Sequence, residues 1–392
     1  MVKGALFKKS LRDMQKSKSQ FISIFIMATL AVFIMTGLDS IWYTVDKHAD
    51  AMYKSTNLSD MWVTVANPSE QQLWGVSKID GVELVEKRFT IDADTDLPGA
   101  PILHVYALDD RSTLDQPELE EGVFPGGGGG VVLDSRFAEV HKLKTGDIIS
   151  IKINGKWLRL QIDGIALSSE HVFAVKNSAS ITPNHSEYGF AIVRSGALEG
   201  IYGQKIYNQI SLKTTPDVDI AQVVQMAGEA VGDEMIGITL QKDSGSVSSV
   251  NSRIQQFKTL SVVFPILFLM VTALITQSTM VRMVENQRSQ IGILKALGYS
   301  KKSILWHYTS YGVIVGVLGS IFGLLTGPNI LGRIMVHQLN LTLNSYSLKI
   351  NYAHFLFVLI LILICTGGVS FSACRKLLSA TPAVLLRDKP PK

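Results

Sequence analysis

Four apolar stretches, each about 20 residues long, constrain this chain more than any other feature of its sequence. They lie near Phe21 to Trp42, Leu260 to Met280, Ile304 to Leu325 and Phe355 to Ala373. A helix needs about 20 residues to cross roughly 30 Å of hydrocarbon, so each stretch is long enough to span a bilayer. The first stretch predicts an uncleaved anchor, because its basic leader is long and no small-residue cleavage site follows Gly37.

The composition agrees with a membrane protein, because 47% of the residues are hydrophobic and only 18% are charged. We therefore predict an α-helical membrane protein with four transmembrane helices in a one-plus-three arrangement around a mixed α/β extracytoplasmic domain. The predicted segments are a cytoplasmic N-terminal segment (1–20), a first span (21–43), the extracytoplasmic domain (44–257), a second span (258–281), a cytoplasmic connection (282–303), a third span (304–331), a short external loop (332–353), a fourth span (354–374) and a cytoplasmic tail (375–392).

The placement of lysine and arginine predicts the orientation, because positive charge near a helix end resists translocation. Residues 1–20 carry six basic residues against one acidic residue, and residues 281–303 carry five against one. The tail beyond Cys374 also carries five against one. Both termini are therefore expected in the cytoplasm. Residues 44–256 contain 18 Lys plus Arg and 29 Asp plus Glu, a net charge of 18 − 29 = −11, which favours export of this segment. An acidic cytoplasmic insertion is the alternative, since long loops obey the charge rule weakly.

The long acidic segment reads as mixed α and β structure. Strands are predicted at 61–66, 82–91, 102–108, 207–212 and 235–240, and helices at 69–79 and from Ile220. Alternating apolar residues on both sides of Asn154-Gly155 predict a β-hairpin, because this dipeptide suits a type I′ turn. We expect a small β-rich subdomain around it, at about 124–182. Residues 246–258 are predicted to extend the second span as a helical stalk.

Motifs for catalysis or ligand binding are largely missing. Asp92, Asp94 and Asp96 resemble the start of a calcium loop, but Leu97 and Leu103 replace its glycine and glutamate, which favours a solvated acidic loop. The glycine run 126–130 lacks the lysine of a phosphate-binding loop and predicts a flexible turn. The eight histidines follow no metal-binding spacing. We expect no enzyme activity, no metal, no cofactor in this chain and no nucleic-acid partner.

The third span carries glycines at spacings that let another helix approach closely. We predict that they pack within the four-helix unit or against a partner membrane subunit. These glycines are Gly312, Gly316, Gly319, Gly323 and Gly327.

The connection between the second and third spans predicts a short amphipathic helix. Ile291, Leu294 and Leu297 fall on one helical face, with Arg288 and Lys295 available to water. Gly298 suits the left-handed position that ends a helix, and Ser300 can cap the helix that follows. Without further information, such a helix could lie on lipid headgroups, which its basic residues favour.

The same connection resembles the coupling segment of MacB-like and FtsX-like ABC transporter permeases, the type VII membrane subunits. The resemblance covers roughly Leu260 to Leu386, and the motifs at 130–134 and 143–147 are similar to that family's exported core domain. Two departures stand out, because Gln290 replaces a common glutamate and the segment Trp306 to Gly312 lacks an acidic residue that many relatives carry. The coupling residues implied by the resemblance are Glu285, Arg288, Gln290, Ile291, Gly292, Ile293, Leu294, Lys295, Ala296, Leu297 and Gly298.

The resemblance implies a permease subunit in a bacterial cytoplasmic membrane, in contact with membrane lipid. The chain has no Gly-x-x-x-x-Gly-Lys-Ser/Thr, so ATP and Mg are expected on a separate P-loop ABC ATPase, in two copies. A second permease, the same chain or a different one, would complete the assembly. The implied function is ATP-driven export or extraction of an amphipathic substrate, such as a peptide, an antibiotic or a lipid-linked molecule.

Two other functions stay open at this point. One is transmembrane signalling like that of FtsX, in which ATP cycles activate an extracellular peptidoglycan hydrolase. The other is a receptor unrelated to ABC transporters, whose exported domain binds a ligand. An extracytoplasmic adaptor or a hydrolase is accordingly a further candidate partner.

Overall fold

The computed structural model describes residues 18–176, 182–344 and 347–378. They form two compact units. The helical unit comprises the described residues up to Thr44, residues 254–336 and those from Ser347 onward, and the α/β unit comprises residues 45–253 and 337–346. Most of the predicted N-terminal segment (1–20) and most of the predicted tail (375–392) lie outside the described residues.

The α-helices of the described residues vary from one turn to 42 residues in length. A π-helical segment, Gly327–Gly332, joins α8 to α9. The helices are α1 (Lys18–Ser55), α2 (Glu70–Ser77), α3 (Ser135–His141), α4 (Glu199–Tyr202), α5 (Ile220–Val231), α6 (Gly245–Asn286), α7 (Arg288–Ala296), α8 (Lys301–Thr326), α9 (Arg333–Gln338) and α10 (Tyr352–Leu378).

The strands all lie in the α/β unit. They are β1 (Met61–Val65), β2 (Val82–Thr95), β3 (Ile102–Leu108), β4 (Glu118–Gly122), β5 (Gly130–Asp134), β6 (Ile148–Ile153), β7 (Lys156–Leu167), β8 (Tyr188–Arg194), β9 (Gln209–Thr214) and β10 (Met235–Leu240).

Four helical stretches are long and apolar enough to cross a membrane, as the sequence predicts. They are Phe21–Ser55, Gly245–Asn286, Lys301–Gln338 and Tyr352–Arg375. The helix of the second stretch begins at Gly245, so the predicted helical extension over residues 246–258 is confirmed. The helical stretch of the third continues past residue 331, where the predicted external loop (332–353) was expected to begin.

The helical unit packs around α1, whose side chains contribute to two apolar clusters. In one cluster, Phe21 and Ile24 of α1 meet residues of α6, α7, α8 and α10, including Val284 and Tyr311. In the other, Ala28, Ala31, Val32 and Met35 of α1 meet Val358 and Ile362 of α10. The buried face of α1 is therefore shared among its neighbours, as expected for a helix at the centre of a bundle.

Six strands of the α/β unit close into a ring. The ring runs β2, β3, β8, β5, β7, β6 and back to β2, with β4 added on the outer side of β7. Alternate side chains point inward and form its core, because successive residues of a strand face opposite sides. Core residues include Leu103, Val105, Val131, Leu133, Ile149, Ile151, Ile153, Leu160 and Ile162.

A second sheet runs in the order β10, β1, β9 and the first half of β2. Its apolar face, with Met61, Val63 and Val65 of β1, packs with Val76 of α2 and Val223 of α5. Strand β2 passes from this sheet into the ring at Arg88 and Phe89, since Arg88 pairs with β9 and Phe89 pairs with β3. One strand therefore joins the two sheets.

Most predicted local elements of the α/β unit are confirmed. Strands β6 and β7 form the predicted hairpin, and Asn154 and Gly155 have φ angles of 48° and 75°, as a type I′ turn requires. Helix α5 begins at Ile220 as predicted, after an N-terminal cap by Asp219. Two acidic residues of the expected solvated loop, Asp92 and Asp94, instead lie on β2 and pair with β3, and Asp96 directly follows that strand.

The β-rich part is larger than the predicted range of about 124–182. Strands β2, β3 and β8 lie outside that range and complete the ring. The sequence pattern marked the hairpin but not its long-range partners, because pairing between distant strands leaves no local signal.

Candidate coupling site

The junction between α6 and α7 is a corner held by a side chain of α8. Helix α6 ends at Asn286, and Gln287 departs from helical geometry with φ −100° and ψ 16°. The Tyr308 hydroxyl donates a 2.7 Å hydrogen bond to the Gln287 side-chain oxygen. The Ile291 N–H donates to the Gln287 carbonyl at 3.0 Å, so α7 begins directly at the corner.

The end of α7 has the geometry that the sequence predicts. Gly298 has a φ of 87°, and the Tyr299 N–H donates to the Leu294 carbonyl at 3.1 Å. This is a Schellman-type ending, which requires a left-handed residue and therefore favours glycine. The Ser300 hydroxyl then accepts from the Ser303 N–H at 3.2 Å and caps α8, so both local predictions are confirmed.

The apolar side chains of α7 divide into a buried face and an exposed face. Ile291 is 1% exposed within the helical core, and Leu294 packs against the same cluster. Ile293 and Leu297, four residues apart, are 50% and 71% exposed. Gly292 is buried, whereas Gln290, Ala296 and Gly298 are exposed, although the φ of Gly298 serves the helix ending.

The three residues predicted to share one face, Ile291, Leu294 and Leu297, differ in their burial. Ile291 and Leu294 fasten α7 to the core formed with α6 and α8, and only Leu297 faces outward. The outward apolar pair is Ile293 and Leu297, which the periodicity did not single out. The face with Ile291 and Leu294 and the face with Ile293 and Leu297 each carry one isoleucine and one leucine. The sequence pattern of α7 alone therefore does not show which face is buried.

The charged residues of the predicted site lie around this corner. Glu285 is exposed on the last turn of α6, and Arg288 and Lys295 are partly buried. All three take part in interactions within the chain. Burial lowers the pKa of Lys295, and the neighbouring charge of Lys301 lowers it further. These three charged side chains therefore help to hold the corner between α6 and α7.

The predicted glycines of α8 face two different helices of the same unit. A Cβ atom on Gly312 would lie 2.7 Å from the Thr366 carbonyl oxygen of α10, and one on Gly316 would also meet Thr366. A Cβ atom on Gly323 would lie 2.7 Å from the Thr29 carbonyl oxygen of α1. Gly319 and Gly327 likewise face α1. Two helices can approach this closely because glycine has no side chain at the point of contact.

Close packing between α1 and α8 is reciprocal. A Cβ atom on Gly37 of α1 would lie 2.9 Å from Cβ of Leu331, in the π-helical segment. Gly332 in turn faces Ser40 of α1. The π-helical segment Gly327–Gly332 therefore also packs closely against α1.

Ionisable side chains inside the bundle also contact one another. Asp39 of α1 lies 2.5 Å from His354 Nδ1 of α10 and accepts from Trp42 Nε1 at 2.9 Å. A cavity of about 10 Å³ beside them could hold one water at most. Within the described residues, no group of three or more His, Cys, Asp or Glu side chains could hold a metal ion.

The comparisons with known proteins bear on the helical part and on the α/β part separately. Residues 262–382 match the family model of the FtsX-like permease C-terminal domain. No curated protein matches the chain.

Two crystal structures are similar to parts of the chain. The extracellular domain of the noncanonic ABC-type transporter YknZ from Gram-positive bacteria is 13% identical, with a TM-score of 0.31. That match covers 46% of this chain and 99% of the other. The periplasmic region of MacB from Actinobacillus actinomycetemcomitans is 11% identical, with a TM-score of 0.29, over 50% of this chain and 92% of the other. Likeness at this level does not establish a shared fold.

The family match includes the second half of α6, the corner, α7, α8 and α10. It therefore covers the segment that resembles the coupling segment of FtsX-like permeases. Residues 262–382 are thus similar to the C-terminal domain of FtsX-like permeases.

Proposed function

We propose that this permease converts the ATP cycle of a separate cytoplasmic ATPase into movement of its α/β unit, and so exports or extracts an amphipathic substrate. The observation that carries the proposal is the exposed pair Ile293 and Leu297 on a helix whose opposite face is locked into the bundle through Ile291. A force applied to Ile293 and Leu297 would be transmitted directly to α6 and α8, because Ile291 packs against both helices.

The exposed pair suits a groove on a partner protein. Full burial of a leucine or isoleucine side chain contributes about 1.5–3 kcal/mol, so two such residues supply a useful part of a docking interaction. The residues also stand four apart on one face, the spacing used by helices that dock into grooves. Gln290 lies near the same face and offers a polar contact in place of a charge.

The proposed topology places α7 and both termini in the cytoplasm and the α/β unit outside, in a bacterial cytoplasmic membrane. The charge distribution of the sequence supports it, because the basic segments flank the spans on one side. One span then precedes the α/β segment and three follow it. A second permease, identical or different, would pair with this one, and each would bind one of two ATPase copies that hold ATP and Mg.

Mechanical coupling, rather than ion coupling, fits the helical unit. Its spans carry few ionisable side chains, and Asp39 is already bonded to His354 and Trp42. Ion-coupled transporters need such groups along a pathway. Helices α1 and α6 also extend far beyond the roughly 20 residues of a span, with 38 and 42 residues.

The docking assignment can be tested with Leu297→Asp in the full chain, co-expressed with the ABC ATPase that co-purifies with the wild-type chain. We expect the amount of co-purified ATPase to fall at least about tenfold, because a buried carboxylate in the groove would be unpaired. Leu297→Met is the matched control and should retain the ATPase. Leu294→Asp should instead destabilise the permease itself, since Leu294 packs inward. Wild-type recovery of the ATPase with Leu297→Asp would refute the docking face.

Export and signalling differ in what contacts the α/β unit. Crosslinking of the full chain in cells, followed by identification of the linked protein, separates them. A substrate or an export adaptor supports the proposal, whereas a coiled-coil peptidoglycan hydrolase would replace it with the signalling function.

A further inference from the structure

The connection between the third and fourth spans belongs structurally to the α/β unit. Residues 337–344, which we name the strap, are part of that unit, although most of α9 before them and all of α10 after them belong to the helical unit. Leu341 and Thr342 are 0% exposed, and Leu343 is 3% exposed. A connection that only closes a loop normally runs over the surface, so the burial of two leucines marks a docked segment.

Backbone and side-chain hydrogen bonds fix the strap in place. The Thr342 N–H donates to the Val172 carbonyl at 2.8 Å. The Asn344 side chain donates to the carboxylate of Glu118 on β4. The strap is therefore anchored at two points on the α/β unit.

Val172 lies in a short segment that several other elements also contact. We name residues 168–173 the node. Its Phe173 N–H donates to the Ser246 hydroxyl at 3.0 Å, in the first turn of α6. The Arg253 guanidinium lies 5.6 Å from the centre of the Phe173 ring. The strap and the top of α6 thus meet adjacent residues of one segment.

The other side of the node contacts the strand ring. Glu170 pairs with both terminal nitrogens of Arg88 on β2, at 2.6 and 2.7 Å. His171 Nε2 lies 2.8 Å from the Tyr106 hydroxyl on β3. Val172 and Phe173 are buried, and Arg88 is buried as well. The node is therefore held firmly between the ring and the two elements that lead to the spans.

From these contacts we infer that the strap is a second mechanical link to the ring, which acts on the node together with α6. This inference rests on the proposed function and adds to it the route by which the third and fourth spans take part. A displacement of α8 or α10 pulls on residues 337–344, and the Thr342 to Val172 hydrogen bond transmits the force to the node. Arg88 and Tyr106 then pass it to β2 and β3.

Two variants break the link in different ways. Thr342→Pro removes the N–H that Val172 accepts, since proline has no amide hydrogen. Insertion of Gly-Ser-Gly-Ser after Asn340 keeps the anchored residues but makes the strap slack. Asn340 is exposed and has a φ of 52°, so the chain there tolerates glycine-like geometry.

Each variant has a matched control. Thr342→Val keeps the N–H and loses only a hydroxyl that has no hydrogen-bond partner among the described residues. The same four residues inserted after Gly127 lengthen an exposed turn, since a Cβ atom there would meet nothing within 4 Å. Both controls should behave as wild type.

The measurement is amide hydrogen exchange of the full chain with its ATPase in lipid nanodiscs, with and without ATP. We expect an ATP-dependent change in exchange at the node and at β2 and β3 in wild type, reduced more than about twofold in both link variants. ATPase recovery should stay unchanged, because α7 is untouched.

The outcomes separate the inference from the function on which it rests. If both link variants keep the full ATP-dependent change, the strap is not a link, while the coupling function stands. If wild type binds no ATPase, or shows no ATP-dependent change in the α/β unit, the proposed function fails and the strap inference falls with it.

Discussion

Tyr308 of α8 donates a 2.7 Å hydrogen bond to Gln287, the residue at which α6 turns into α7. This hydrogen bond joins the N-terminal part of α8 to the C-terminal end of α6, at the corner where α7 begins. Tyr308 is completely buried, and its ring lies in the apolar cluster that also holds Ile291. The direction of α7 therefore depends on α8 as well as on α6.

Tyr308→Phe should loosen this corner without creating a cavity. Loss of the hydroxyl leaves the Gln287 oxygen without this donor, which costs about 1–3 kcal/mol if the oxygen stays buried. We expect a lower midpoint of thermal unfolding for the full chain in detergent. Ser310→Ala is the control, because among the described residues the Ser310 hydroxyl bonds only the His307 carbonyl of its own helix. An unchanged midpoint would show that the bond does not hold the corner.

Gly323→Leu should disrupt the pairing of α8 with α1. The new side chain would overlap the Thr29 carbonyl oxygen and Val32, each 2.7 Å from the added Cβ atom. Overpacking of this kind costs about 1–3 kcal/mol or more. We expect aggregation at a lower temperature in size-exclusion chromatography after heating. Gly368→Leu is the matched control, since a Cβ atom there meets nothing within 4 Å. Equal behaviour of the two variants would contradict the assigned helix contact.

Local features of this chain were predictable because each has a local physical cause. The Asn154-Gly155 turn, the left-handed Gly298 and the Ser300 cap depend on one or two residues and their backbone preferences. The four apolar stretches follow from the thickness of the hydrocarbon alone. Each of these predictions is confirmed by the elements that the structure contains.

Features that depend on distant partners could not be predicted in the same way. The ring needs β2 to pair with β6, more than fifty residues later in the chain, and no local pattern encodes that. The sequence of α7 does not show which of its apolar faces is buried, because that depends on contacts with α6 and α8. Arg88 gave no signal at all, since its partners Glu170 and Asp115 are remote in sequence.

Arg88→Met should strongly destabilise the α/β unit. Burial lowers the pKa of Arg88, but the charges of Glu170 and Asp115 outweigh burial and raise it, so the guanidinium stays charged. Its removal leaves two buried carboxylates without their cation, which costs about 3–5 kcal/mol. We expect a clearly lower unfolding midpoint by circular dichroism of the full chain in detergent.

The pair Arg136 and Glu139 supplies the control for that prediction. Arg136→Met removes an ion pair of 2.9 Å between side chains that are 32% and 69% exposed, in contrast to the buried Arg88. Such i, i+3 pairs contribute only about 0.2–0.5 kcal/mol. A midpoint for Arg88→Met as high as that of Arg136→Met would mean that the buried network does not stabilise the fold.

Asp134→Asn should remove a pH dependence of stability from the α/β unit. Asp134 is fully buried, where it caps α3 through the Arg136 N–H at 2.9 Å, and burial raises its pKa to about 7. In the unfolded chain an aspartate titrates near about 3.9. Between these two values the folded protein holds a proton that the unfolded chain releases, so stability falls as the pH rises from about 4 to about 7.

The folded and unfolded pKa values of Asp134 differ by roughly three, and a difference of one corresponds to about 1.4 kcal/mol. The loss of stability is therefore at most roughly 4 kcal/mol. Asparagine is a good N-terminal cap and carries no charge at any pH, so the variant keeps the cap and loses the penalty. We expect equal unfolding midpoints near pH 4, an advantage of Asp134→Asn that grows up to about pH 7, and no further gain above that pH. All other titrating groups are shared by the two proteins, so the difference reports on Asp134 alone. A constant difference across that range would mean that Asp134 is ionised in the folded protein throughout.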